Sequence, residues 1–181
     1  FPVEVRRHVV GLSVARLTAN ACFRFAPPFL AVIARGLNVT LDELGIALAV
    51  SEIAGLTSPF IGHVVDRLRR RTSMSFGLVG VAAGALLAGS STGRVQFALA
   101  LVVLGQSKVV FDLGLASWVS DHVDEARRGR VIGITETAWA LGLLVGVTLL
   151  GLLAAVTSWR AGYVGGAAAV RHVAADESLA A

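Results

Sequence analysis

The chain has 181 residues, of which 55% are hydrophobic and 15% charged, and its mean hydropathy is +0.75. Soluble domains carry about 25% charged residues, so composition excludes an ordinary soluble globular domain and favours a membrane protein. The formal net charge of +4 would suit nucleic acid in a soluble protein. Here the arginines cluster between apolar runs with no interleaved aromatic residues, so nucleic acid is excluded as a partner.

A bilayer core about 30 Å thick needs roughly 20 apolar residues per helix. The predicted spans are 9–34, 44–65, 73–89, 95–119 and 130–156, joined by short links. Backbone groups in lipid must bond internally, so each span is predicted to be helical and the fold class all-α, a polytopic helix bundle. Span one carries Arg16, Asn20 and Arg24 at every fourth position, one polar stripe, and Pro27-Pro28, which predicts a kink. It also holds Cys22, the single cysteine, which can form no internal disulfide and no Cys-rich metal site. Span two contains Glu52 and a second expected kink at Ser58-Pro59. Gly80 and Gly84 in span three, and Gly142 and Gly146 in span five, sit one turn apart and predict close helix contacts. Between spans three and four, Gly89-Ser90-Ser91-Thr92-Gly93 fits the nucleophile elbow of serine hydrolases. That motif needs a strand-to-helix turn and a nearby histidine, neither of which is expected here, so no enzymatic activity is assigned. Span four brings Lys108 and Asp112 into an i,i+4 pair, and span five brings Glu136 with Trp139 one turn on. A sixth apolar stretch, 163–170, meets Arg171 and His172 and is too short to span alone. It reads either as a cut or altered sixth helix or as a surface helix or frayed tail, with 171–181 a polar tail. Because the chain opens on Phe1 rather than Met, it is expected to be a fragment.

Positive residues set orientation. One side collects Arg6, Arg7, Arg67, Arg69, Arg70, Arg71, Arg127, Arg128 and Arg130; the other collects Arg35, Arg94 and Arg160. The first side is therefore expected to be cytoplasmic, with the amino terminus, in a multi-pass protein of the cell membrane.

Ionisable groups inside spans are costly and should face each other or water. Arg16, Arg24 and Lys108 balance Glu52, Asp112 and Glu136. Asp112 and Glu136 each lie about two turns from the same membrane face, which places them at similar depth on adjacent helices. Two carboxylates beside one ammonium can share and release a proton, the chemistry a proton-coupled carrier needs. The same charges could instead be structural ion pairs holding the bundle. The expected substrate and proton cavity is Arg16, Asn20, Arg24, Glu52, Lys108, Asp112, Glu136 and Trp139, with Trp139 either walling it or packing.

The turn after span two reads Gly62-His63-Val64-Val65-Asp66-Arg67-Leu68-Arg69-Arg70-Arg71. It resembles the loop between helices two and three of the major facilitator superfamily, whose pattern is Gly-x-Leu-Ala-Asp-Arg-x-Gly-Arg-Lys. Gly62, Asp66, Arg67, Arg70 and Arg71 match, while Arg69 replaces the second glycine. The resemblance implies the amino-terminal six-helix half of such a carrier, and a cytoplasmic gate in which Asp121, at the end of span four, pairs with Arg67 or Arg70. It also implies transport of a small solute by alternating access, with a missing carboxy-terminal half or a second copy completing the site. Span five lacks the Gly-Pro pair of many antiporter members, so drug–proton exchange is not specifically indicated. Lipid, a solute and protons are the expected partners, with no cofactor and no metal. The competing reading is a non-transporting truncated membrane protein or helix-packing scaffold.

Overall fold

The computed structural model describes residues 3–175 except residue 66, and side-chain surroundings for 6–175 except residues 64 and 66. The described residues contain no strand. Span one is α1 (Val3–Arg24) and α2 (Leu30–Leu37), separated by a tight 3₁₀ turn at Pro27–Phe29. Proline fixes φ and lacks the N–H that a continuous helix needs, so the break falls where Pro27-Pro28 predicted it. Asn38 ends α2 in the left-handed conformation, φ 54°, and donates its N–H to the Ala34 and Arg35 carbonyls. Thr40 then starts α3 (Leu41–Ala54) with a reciprocal cap. Its hydroxyl accepts from the Glu43 N–H, and the Glu43 carboxylate accepts from the Thr40 N–H.

Span two breaks at a 3₁₀ turn, Gly55–Thr57, before α4 (Ser58–Val65). Pro59 sits in the first turn of α4, where a missing N–H is harmless. Spans three and four are the unbroken helices α5 (Arg70–Gly89) and α6 (Arg94–His122). Span five is α7 (Glu125–Leu141), a wider π-helical turn at Gly142–Gly146, and α8 (Val147–Val156). Last comes α9 (Trp159–Ala174).

Among the described residues, five segments are long and apolar enough to cross a membrane: Arg6–Leu37, Leu41–His63, Arg70–Gly89, Arg94–His122 and Glu125–Val156. They fall within a few residues of the predicted spans. The helix α9 extends past the predicted 163–170 at both ends and continues through Arg171 and His172. At 1.5 Å per residue its 16 residues cover roughly 24 Å, short of a full crossing. It packs along α5, α8 and α1 rather than lying on the surface.

Around the bundle, α3 packs on α6, α6 on α5, α5 on α9, α9 on α8, and α7 with the π turn on α1. The helix α1 also touches α5, α6 and α9, so it closes the ring. Without a hydrophobic driving force in lipid, such contacts depend on small residues that let backbones approach. A Cβ on Gly77 would come within 2.6 Å of the Phe111 nitrogen, and one on Gly84 within 2.7 Å of the Leu104 nitrogen. In span five, a Cβ on Gly142 would lie 2.6 Å from the Leu17 carbonyl oxygen, and one on Gly146 2.6 Å from the Ala21 Cβ. Tyr163 centres a buried aromatic core, edge-on to Phe25 (5.0 Å), Phe97 (6.1 Å) and Trp159 (6.4 Å).

Candidate functional site

Three long helices bring their charges to one level. With a 1.5 Å rise, Arg16 lies roughly 15 Å from Arg6, Asp112 roughly 15 Å from His122 and Glu136 roughly 16 Å from Glu125. Those three reference residues share one end of the bundle, so equal distances along α1, α7 and the antiparallel α6 give equal depths.

The Arg16 guanidinium bridges two helices. Its Nη1 donates to Glu136 Oε1 at 2.8 Å, and its Nε lies 3.5 Å from Asp112 Oδ1. The second contact is an ion pair rather than a hydrogen bond, and neither atom has a hydrogen-bond partner among the described residues. The other oxygen of Asp112 accepts from Lys108 Nζ at 2.5 Å. Arg16 and Lys108 side chains are 14% and 9% exposed, Asp112 30% and Glu136 55%. The network is thus buried on its cationic side and open on its carboxylate side. A cavity of about 180 Å³ lies against the open side, walled by Arg16, Asp112, Glu136 and Thr135, with Leu115 and Ile132. Arg128 closes it toward the α6–α7 turn, where its Nη2 donates to the Ser120 carbonyl at 3.1 Å.

The other predicted cavity residues separate from this cluster. Asn20 is fully buried, and its Nδ2 donates to the Trp139 carbonyl at 2.8 Å, one turn from Glu136. It ties α1 to span five just before the π turn. The half-buried Trp139 borders a separate apolar hollow of about 580 Å³ with Pro28, Phe29 and Leu144. Arg24 and Glu52 form their own pair, 3.7 Å apart and more exposed.

Sequence reasoning does not single out Phe23. Its ring lies 5.0 Å from the Arg24 guanidinium and 5.7 Å from Lys108 Nζ, between the two charged levels. A ring face attracts a cation, so Phe23 gives Lys108 a second favourable neighbour in a dry setting. Its position directly before Arg24 on the polar stripe is the signal that could have found it.

At the end where α4 and α5 meet, Arg70 Nε donates to Asp121 Oδ2 at 3.0 Å, linking α5 to α6. Arg67 instead contacts His63 Nε2 at 2.8 Å on the preceding turn. Among the described residues, a Cβ on Gly62 would meet only Leu113, at 3.8 Å. Asp66 lies outside the described residues. At the opposite end Arg94 pairs with Glu43, and Arg160 Nη1 donates to the Ser91 carbonyl at 2.9 Å and the Gly89 carbonyl at 3.3 Å. In the hydrolase-like turn, Ser90 and Ser91 donate their hydroxyls to the Leu87 and Ala88 carbonyls at the end of α5.

The family model described as Major Facilitator Superfamily matches residues 12–170. An uncharacterized transporter, YgaY, of Escherichia coli O157:H7 is 30% identical over 156 residues, covering 84% of this chain and 39% of the relative. The multidrug resistance protein MdtG of Salmonella choleraesuis is 25% identical over 159 residues, again 84% of this chain and 39% of the relative. An uncharacterized MFS-type transporter, YwfA, of Bacillus subtilis is 23% identical over 134 residues, 74% of this chain and 32% of the relative. The chain spans about two fifths of the length of the relatives named first.

Proposed function

Because the chain belongs to the major facilitator superfamily, we propose that it supplies one half of a secondary carrier, which moves a small solute across the cell membrane by alternating access with proton coupling. The observation that supports this most is Arg16, from span one, between the carboxylates of Asp112 and Glu136, from spans four and five. Two carboxylates compete for one guanidinium, while Lys108 holds only Asp112. Protonating Glu136 frees Arg16 to serve Asp112 alone, or a solute anion in the cavity. Loss of that proton draws Arg16 back. The Glu136 carboxylate and a solute anion thus compete for the same guanidinium, so proton uptake favours solute binding and couples the two movements through a difference in affinity between two states.

The facing wall would come from a complementary half or a second copy, because carriers of this build hold solute between their two repeats. Arg70 and Asp121 would then act as a cytoplasmic latch that opens and closes with the cavity, with the amino terminus on the same side. The bundle itself needs no covalent chemistry for this cycle. Relatives named as multidrug resistance proteins place drug-like compounds in the panel of solutes to try.

The test is flux in vesicles that contain the purified chain and an internal pH dye. A panel of organic anions, zwitterions and lipophilic cations is applied as a gradient. Solute-linked pH change is expected for the wild type and at least about tenfold less for Asp112→Asn and Glu136→Gln. Coupling undiminished from the wild type in both variants contradicts the proton role, and no flux of any panel member contradicts carriage by this chain.

A further inference from the structure

The arginines that open α5 do not all face the bundle. Arg70 turns inward to Asp121. Arg69 and Arg71, on either side of it, are exposed and make no ion pair among the described residues. Both line a groove of about 500 Å³ on the outer flank of α5. Thr72 and Ser75 add hydroxyls one turn further on, and Phe76 and Val79 form its floor toward the membrane interior. Phe76 is 67% exposed and Val79 61%, so little among the described residues covers them.

Two guanidinium groups, then two hydroxyls, then two bare apolar side chains follow one another along α5. The order matches the section of a phospholipid, from headgroup phosphate to acyl chain. We propose that this groove binds one anionic phospholipid in the leaflet on the side of the α4–α5 turn. Its phosphate and anionic headgroup would sit between Arg69 and Arg71, with the Thr72 and Ser75 hydroxyls as further donors. The first acyl carbons would lie on Phe76 and Val79. Guanidinium suits this role because its planar fork pairs with phosphate oxygens two at a time. A free phosphate could use the arginines but not the apolar floor, so the occupant is a lipid. The site rests on the chain crossing a bilayer and not on transport, so it stands or falls separately from the carrier reading.

The experiment uses the full chain in nanodiscs made from phosphatidylcholine with an added fraction of phosphatidylglycerol. Lipids retained after gentle release are weighed by native mass spectrometry. The wild type is expected to retain phosphatidylglycerol in preference to phosphatidylcholine. In Arg69→Gln/Arg71→Gln the preference should fall roughly thirtyfold, as for the loss of two basic contacts at a membrane surface. Arg6→Gln/Arg7→Gln removes the same charge elsewhere and should leave the preference intact. Phe76→Ser should weaken retention of both lipids without changing their ratio, and inorganic phosphate should not displace the lipid. Helical circular dichroism confirms that each variant is folded. The proposal is overturned by a wild type with no preference, by equal losses in the two double variants, or by displacement with inorganic phosphate.

Discussion

Lys108 shows what one side chain contributes here. It is 7% exposed and carries a charge in a membrane helix, with Asp112 as its one carboxylate partner among the described residues. Removing one partner of a buried pair leaves an uncompensated charge, at a cost of about 3 kcal/mol or more. Asp112→Asn should therefore lower stability by about 3 kcal/mol in thermal unfolding in detergent, and adding Lys108→Met should restore most of it. Glu136→Gln, at a half-exposed position, should cost under about 1 kcal/mol while abolishing proton coupling. Equal losses from both carboxylate changes would show that Lys108 does not depend on Asp112. The cluster Arg16, Lys108, Asp112 and Glu136 was legible in the sequence because charges in lipid must meet, and helical rise sets their depth. The partner of Asn20 was not legible, because it bonds a backbone carbonyl, and every residue has one. Nor does sequence choose between Arg70 and Arg67 for Asp121, since neighbouring residues on a turn differ only in direction.

At the scale of elements, contact is decided by missing side chains. Gly84 allows the α5 backbone to reach Leu104 on α6, the most extensive helix pair in the bundle. Gly84→Leu should drive those helices apart and prevent folding, or cost more than about 3 kcal/mol. Gly45 lies within α3, and a Cβ added there would meet no atom of the described residues within 4 Å, so Gly45→Ala should stabilise by about 0.5–1 kcal/mol. Melting temperatures of the two variants in detergent check this, and similar shifts would mean that neither glycine marks a contact. Glycine spacing and proline positions made the contacts and both span breaks readable. The π turn at Gly142–Gly146 was not, because its i→i+5 bonding answers to the close approach of Leu17 and Asn20 from another helix. The extent of α9 was missed for a related reason. Arg171 and His172 end the apolar run, yet the buried stripe of Trp159, Tyr163, Gly166 and Val170 keeps helical spacing and carries the helix on through them.

On the scale of the molecule, the crossings and their order follow from hydropathy, and the packing from short links. The orientation is a separate proposal. Thr92 and Ser120 are exposed at opposite ends of the bundle, and Cys22 is 1% exposed. Thr92→Cys should react in intact cells with a membrane-impermeant maleimide, whereas Ser120→Cys should react only after permeabilisation. The reverse pattern would invert the orientation. Large apolar side chains stay bare on span two, including Ile53, Leu56 and Phe60, and on span five, including Leu144 and Val156. Lipid or a complementary half can cover such faces, and a soluble setting cannot.

All of this depends on charges from separate spans sharing one polar interior. The most direct measurement is a double-mutant cycle on Arg16 and Asp112, with Arg16→Gln, Asp112→Asn and both together, read as unfolding free energies in detergent. Residues that share a network couple by about 0.5–3 kcal/mol, so a coupling of at least about 1 kcal/mol is expected. Additive effects would place the two side chains apart and contradict the shared interior.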